Sequence, residues 1–232
     1  MTTTNLAVPA ISLPAVVPPV SYTLSEQVVV ASAPDRADAE SISALRNHLV
    51  AKHIHEGRRG LTICATERED GAAWLAVNLA ASLAQTGVRT LLIDCDLRGG
   101  TLGDFIQPSA PVAGLADVLA SRDVSVASAM QFDVMPNLSV MYAGNPPGNA
   151  QELLFGQRFG TLIDLCLRDF DLTIATAPAT KFYADARRIA ALMRYALVVA
   201  RKDSTLVSDL KTLIDDLTSD GVRVIGSVYK GD

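Results

Sequence analysis

Residues 61–102 read LTICATEREDGAAWLAVNLAASLAQTGVRTLLIDCDLRGGTL, and this stretch decides the fold. It predicts a buried strand at 61–65, a helix at 72–86 and a second buried strand at 89–94. Apolar runs bounded by polar turns indicate the strands, and apolar residues at helical spacing indicate the helix. A strand, a helix and a second strand in this order form the unit from which parallel sheets are built.

The same alternation continues outward from this stretch. Further strands are predicted at 138–142, 172–176, 196–200 and 222–228. Helices are predicted at 37–53, 153–168, 184–193 and 205–217, with a short one after Gly114. Because several strands are apolar on both faces, the predicted fold class is α/β, a doubly wound and mostly parallel sheet with helices on both faces. Ligands of such sheets bind beyond the carboxyl ends of the strands, which points to the loops after Ala65, Asp94 and Thr176.

The composition is that of a globular domain, because 49% of the 232 residues are hydrophobic and 19% are charged. The three cysteines lie in apolar runs, which indicates buried thiols in a reducing compartment rather than disulfides. The net charge is −5, and no block of Lys or Arg occurs in the sequence. Nucleic-acid surfaces need clustered basic residues, so we predict no nucleic-acid partner.

The N-terminal segment has a different composition from the rest. Residues 1–25 carry no charged side chain, and their prolines argue against a membrane-spanning helix. No basic residue precedes Arg36, which argues against a secretory signal. We predict a flexible Pro-rich apolar tail over 1–33, followed by a single domain over 34–232. The alternative interpretation is that the apolar tail docks onto a partner.

The loop after the first strand has the position of a phosphate-binding loop but lacks its chemistry. A working P-loop presents glycine N–H groups, a Lys for the β and γ phosphates and a hydroxyl for magnesium. In the corresponding window, 69–74, only Gly71 suits such a cradle. A carboxylate ~4 Å from a phosphate costs about 4 kcal/mol at an effective dielectric near 20. We therefore expect weak or absent ATP binding. Thr66 and Glu69 are expected to form a capping box. The carboxylates of Glu69 and Asp70 would take the place of the phosphate at the start of the helix.

Four segments carry a resemblance to a known family. LLIDCDLRGGTL at 91–102 is similar to a second acidic motif, and NLSVMYAGNPPGNAQELL at 137–154 to a strand and proline-rich loop. GLADVLA at 114–120 and FDLTIATAP at 170–178 fall at the expected places. Through them, residues 40–230 resemble the cytoplasmic domain of bacterial tyrosine kinases, the polysaccharide copolymerase kinases of capsule and exopolysaccharide export. That family is related to ParA- and MinD-type ATPases, so the resemblance implies a P-loop NTPase-like fold of the deviant Walker type.

The resemblance also implies site residues. Asp94 and Asp96 would hold magnesium and activate the attacking hydroxyl, with Arg98 beside them. The third motif of the family has an aspartate that helps to hold magnesium, and it falls on Ala175 in this sequence.

The phosphate loop departs from the family. Its Lys and hydroxyl residues fall on Ala72 and Ala73, which leaves Arg68, Gly71, Ala72 and Ala73 as the remnant of a cofactor-binding loop. Losses at several functional positions favour a non-catalytic member, because the phosphoryl charge would lack its cation and metal.

Self-assembly is a further implication of the resemblance. ESISALR at 40–46 is similar to the ring-forming helix motif of the family, with Glu40 and Arg46 in place and Ser43 where the first Arg belongs. A homo-oligomer is therefore allowed by the sequence. We expect no counterpart of the family's tyrosine-rich tail within this sequence, since Tyr229 is the one tyrosine near residue 232.

Two functions follow from these observations. The favoured hypothesis is that the protein is a pseudo-kinase without a cofactor, which supports the synthesis and export of a surface polysaccharide. It would be cytoplasmic and would associate peripherally with the inner membrane through a polysaccharide copolymerase. The alternative is an active MgATP-dependent tyrosine autokinase or ATPase of the same pathway. In that alternative Arg68 would replace the lost Lys, and Asp94 and Asp96 would be the metal ligands.

Overall fold

The computed structural model describes residues 20–181 and 183–231. The strands are β1 Tyr22–Leu24, β2 Gly60–Ala65, β3 Thr90–Asp94, β4 Ile106–Pro108, β5 Gln131–Met135, β6 Leu138–Met141, β7 Leu172–Thr176, β8 Tyr195–Arg201 and β9 Arg223–Lys230. The α-helices are α1 Val29–Ser32, α2 Ala37–Leu49, α3 Ala72–Gln85, α4 Leu115–Ala120, α5 Val126–Ala129, α6 Ala150–Phe155, α7 Gln157–Asp169, α8 Asp185–Met193 and α9 Val207–Ser219. A π-helical turn, Val50–Ile54, continues α2.

The central sheet has seven strands in the order β5, β6, β3, β7, β2, β8, β9. All neighbouring pairs are parallel except β5 and β6, which are antiparallel at one edge. The predicted class, a mostly parallel α/β sheet with helices on both faces, is confirmed. The carboxyl ends of β2, β3 and β7 lie side by side at the middle of the sheet, because these strands are direct neighbours.

Successive side chains along each strand point to opposite faces of the sheet, so the core has one part on each face. On β3, Leu92 packs with α3 on one face, whereas Leu91 and Ile93 pack with α4, α7 and α8 on the other. Helix α3 is buried along most of its length, since its alanines allow close approach to the sheet. This packing fixes the start of α3 beside the ends of β2 and β3.

The structure corrects the predicted tail. Residues from 20 onward join the domain: β1 pairs with β4, and Val28, Val29 and Val30 are buried in the core. The boundary at residue 33 is therefore wrong, because the apolar side chains after residue 20 pack against α3 rather than face solvent. Residues 1–19, on which the rest of the tail prediction falls, lie outside the described residues.

One predicted helix differs in detail. The helix expected at 153–168 is two helices, α6 and α7, which meet at Gly156 in an extended conformation.

All three cysteines are buried and unpaired, as predicted. Among the described residues, no helix has the length and apolar character needed to cross a membrane.

Candidate functional site

The loop between β2 and α3 is held by a buried carboxylate. Asp70 is fully buried and accepts hydrogen bonds from the Thr66 hydroxyl (2.9 Å), the Glu67 N–H (3.0 Å) and the Thr205 hydroxyl (2.8 Å). The capping box of this loop pairs Glu67 with Asp70, so the predicted box of Thr66 with Glu69 is wrong by one residue. The loop folds as a short 3-10 turn, Arg68–Asp70, which turns Asp70 inward and leaves Glu69 exposed. Asp70 therefore braces the turn before α3.

Arg68 spans the mouth of the site. One guanidinium nitrogen contacts the Asp96 carboxylate at 2.7 Å, and the other donates to the Gly99 carbonyl at 3.1 Å. Gly99 makes room for this contact, since a Cβ there would lie 2.6 Å from Arg68 Nη2. The Arg68 side chain is half exposed, whereas Asp96 is buried. The guanidinium thus covers a carboxylate that the family resemblance assigns to magnesium.

The cavity behind Arg68 is small. Its volume is about 30 Å³, room for about two water molecules. Its walls include Ala72, Ala73 and Thr176, with Arg68 and Asp96 at the rim. Three of the predicted remnant-loop residues, Arg68, Ala72 and Ala73, therefore do meet at one place. Gly71 does not line this cavity: it has φ +89°, and its open side faces the Lys230 side chain instead.

Asp94 is saturated by donors of the protein. One carboxylate oxygen accepts from the Asp96 N–H (3.1 Å) and the Thr176 hydroxyl (3.0 Å). The other accepts from the N–H groups of Thr101 (2.7 Å) and Leu102 (3.1 Å). Burial raises the pKa of Asp94 above its ordinary value, and these hydrogen bonds oppose the rise. The carboxylate closes the turn that follows β3.

The third motif lies one residue further on than predicted. Thr176, the partner of Asp94 in the sheet register, directs its hydroxyl to that carboxylate, whereas Ala175 pairs with Ile93 and packs in the core on the α7 side. Strand alternation sends neighbouring side chains to opposite faces, so Ala175 cannot reach the site. The position beside the acidic motif is thus occupied by Thr176.

Arg98 forms a separate ion pair on the loop after β3. Its guanidinium contacts the carboxylate of Asp185, which is buried, and lies 4.4 Å from the centre of the Tyr183 ring. This pair ties the acidic loop to the start of α8. A second ion pair joins Lys181 to Glu67 at 2.5 Å, on the other side of the phosphate loop. Neither cation lines the small cavity.

The predicted assembly residues lie on α2. Arg46 donates to the Ser82 hydroxyl of α3 at 3.1 Å and to the side chain of Asn47, so it is held against its own domain. Glu40 is exposed. Within residues 20–181 and 183–231, no three His, Cys, Asp or Glu side chains form a metal-binding group.

Sequence reasoning missed the residues that close the site from a distance. Thr205, in the loop before α9, and Asp185, at the start of α8, both contact carboxylate or guanidinium groups far away in the chain. Asp185 follows β7, whose carboxyl end was expected at the site. Thr205 follows β8, whose end was not among the expected loops, so the sequence carried no signal for it.

Comparisons with known proteins find relatives among bacterial tyrosine kinases. No protein-family model matches the chain. The tyrosine-protein kinase wzc of Salmonella typhi is 29% identical over 207 residues, 89% of this chain and 28% of that protein. The tyrosine-protein kinase ptk of Acinetobacter johnsonii is 30% identical over 83% of this chain and 26% of that protein. The chain thus spans about a quarter of the length of these curated relatives.

The relatives also include a protein of similar length, and solved structures share the fold. The putative tyrosine-protein kinase CapB of Staphylococcus aureus is 25% identical over 84% of this chain and 85% of that protein. The kinase domain of the Escherichia coli tyrosine kinase ETK matches with a TM-score of 0.82 and 24% identity, over 88% of this chain and 79% of that one. The septum site-determining protein MinD of Pyrococcus horikoshii, in complex with Mg-ADP, matches with a TM-score of 0.63 and 18% identity over 74% and 69%. These two structures share the layered parallel sheet described above.

Proposed function

From the homology of this chain to the bacterial tyrosine kinases, we propose that it is a non-catalytic member of their pathway, a pseudo-kinase that supports synthesis and export of a surface polysaccharide. The polysaccharide would be a capsule, an exopolysaccharide or a holdfast. In this proposal the chain acts from the cytoplasm, through contacts with an inner-membrane polysaccharide copolymerase rather than through phosphoryl transfer.

One observation carries the proposal: Arg68 and Asp96 close the phosphate site on each other. The cavity that remains, about 30 Å³, is roughly a tenth of the ~300 Å³ at which small-molecule sites begin. A nucleotide would have to break a contact between a guanidinium and a buried carboxylate, and no lysine lines the cavity to receive the phosphates. Nucleotide binding would replace one ion pair with another, so the net gain in binding free energy would be small.

The metal requirement of a kinase is equally poorly met. All four hydrogen bonds to Asp94 come from groups of the chain itself, so magnesium would have to displace backbone N–H donors. Thr176 offers a neutral hydroxyl where the family resemblance calls for a carboxylate. The residues present therefore do not fit MgATP, and we assign no step to it.

The active-enzyme alternative rests on Arg68. Its guanidinium lies at the phosphate loop, and guanidinium groups bind phosphate well. If the side chain swung away from Asp96, it would offer a cation and free a carboxylate at once. The favoured proposal requires that this exchange does not occur with MgATP.

A genetic complementation separates the two functions. We expect the Asp96→Asn variant, expressed in a strain that lacks the chain, to restore polysaccharide output to the wild-type level, because the proposed role needs no metal ligand. The matched control is Asp104→Asn, which alters an exposed carboxylate nearby. Output lost in Asp96→Asn but kept in the control, with both proteins folded, would favour the enzyme.

The partner is tested by co-purification. The tagged chain, cross-linked in native membranes, should bring down a polysaccharide copolymerase, and Asp96→Asn should recover as much of it as the wild type does. Recovery of soluble proteins alone would contradict the proposed partner.

A further inference from the structure

A second cavity lies at the opposite end of the sheet from the phosphate loop. Its volume is about 440 Å³, within the range of small-molecule sites. It lies between the end of α2 with its π-helical turn and the start of β9. From Gly60 to Ala65 strand β2 advances about 3.3 Å per residue, so the two sites are roughly 16 Å apart along the sheet.

A buried histidine with one unpartnered nitrogen forms part of the cavity wall. His53 is 1% exposed, and its Nε2 lies 3.0 Å from the Gly60 carbonyl oxygen. A carbonyl only accepts hydrogen bonds, so Nε2 carries the proton and Nδ1 presents a lone pair. Nδ1 has no donor within the described part of the chain, and less than 1 Å² of its surface is accessible. Buried polar atoms without partners are rare, which sets this wall apart from an ordinary surface groove.

The backbone that carries His53 is itself unusual. Residues Val50–Ile54 form a π-helical turn, and such turns are frequent at functional sites. The turn presents both Lys52 and His53 to the cavity. The ring of His53 is fixed from its other side by Tyr195, whose ring meets it edge-on at 4.7 Å between centroids.

The cavity is lined by more cations than anions. Lys52, Arg58 and Arg223 line it, against the single carboxylate of Glu56. Arg58 is held in place, since it contacts Glu56, donates to the Lys52 carbonyl at 3.0 Å and lies over Tyr195. Within residues 20–181 and 183–231 the side chains of Lys52 and Arg223 form no ion pair. The local excess of positive charge stands out because the whole chain carries −5.

We propose that this cavity binds the phosphate group of a ligand. Lys52, Arg58 and Arg223, which line it together, receive the phosphate. A phosphorylated small molecule and the headgroup of an anionic lipid share this chemistry. The site is independent of the phosphate loop, so it holds whether or not the chain is a pseudo-kinase.

The test uses glycerol 1-phosphate as the free probe and records the imidazole signals of His48 and His53 by NMR. We expect saturable shifts of both rings, and a dissociation constant about tenfold higher in the double variant Lys52→Ala/Arg223→Ala. The matched control is Lys202→Ala/Lys211→Ala, which removes two exposed cations outside the cavity and should leave binding unchanged.

The source of the phosphate is distinguished with vesicles of phosphatidylglycerol and of phosphatidylcholine. Binding to the anionic vesicles alone, weakened in Lys52→Ala/Arg223→Ala, assigns the site to a lipid headgroup. Binding of the free probe assigns it to a small molecule. The proposal is overturned if neither binds saturably to the wild-type chain, or if the control variant loses as much affinity as the cavity variant.

Discussion

Replacing Asp70 by Ala removes the buried carboxylate that braces the phosphate loop. Three donors lose their acceptor: the hydroxyls of Thr66 and Thr205 and the Glu67 N–H. Hydrogen bonds to a charged group contribute about 1.5 to 3 kcal/mol each, but hydroxyls can rotate to other acceptors. We therefore expect the free energy of unfolding to fall by about 3 to 5 kcal/mol, and by less in Asp70→Asn, which keeps one acceptor oxygen.

Urea unfolding followed by circular dichroism measures this loss, with the midpoint and slope fitted together. Glu69→Ala is the matched control, because Glu69 is on the same turn but exposed, and we expect a change within about 0.5 kcal/mol. A loss below about 1 kcal/mol in Asp70→Ala, or one equal to that of the control, would refute the view that the chain carries its own anion in this loop.

Three further predictions concern other buried polar groups. Burial lowers the pKa of His53 from its ordinary 6.5. As the pH falls, the histidine is therefore protonated in the unfolded chain before it is protonated in the folded one, so the free energy of unfolding should fall below pH 6.5. Urea titrations at several pH values should reveal this dependence, which His53→Gln should lack. Thr176→Val removes a donor to buried Asp94 and should cost about 1 to 2 kcal/mol, whereas an unchanged midpoint would contradict the hydrogen bond. Arg98→Met leaves buried Asp185 without its cation and should cost about 2 to 4 kcal/mol, which thermal unfolding can check against Arg122→Met at the surface.

The central layers of the fold were predictable because their signals are local. Strands β2, β3, β6, β7 and β8 are apolar runs, and the structure places each within two residues of its predicted bounds. The short strands β1, β4 and β5 were missed, since three to five residues give little periodicity and their pairing depends on segments far away in the chain. Pairing of β1 with β4 also explains why the apolar N-terminal segment was mistaken for a tail up to residue 33.

The site was predictable in position but not in its contacts. Chain order and the rule for parallel sheets brought Asp94, Asp96 and the phosphate loop together. The contact of Arg68 with Asp96, 28 residues apart, depends on the rotamer of a long side chain and on the space that Gly99 leaves. The pairing of β7 with β3 places Thr176, rather than Ala175, opposite Asp94. Neighbouring side chains of a strand point to opposite faces, so an error of one residue assigns the wrong side chain to the site.

Calorimetric titration of the purified chain with MgATP tests most directly whether its own side chains have replaced the nucleotide. We expect no heat beyond dilution for the wild type and for Asp94→Asn. Micromolar binding to the wild type, lost in Asp94→Asn and kept in Asp104→Asn, would contradict it.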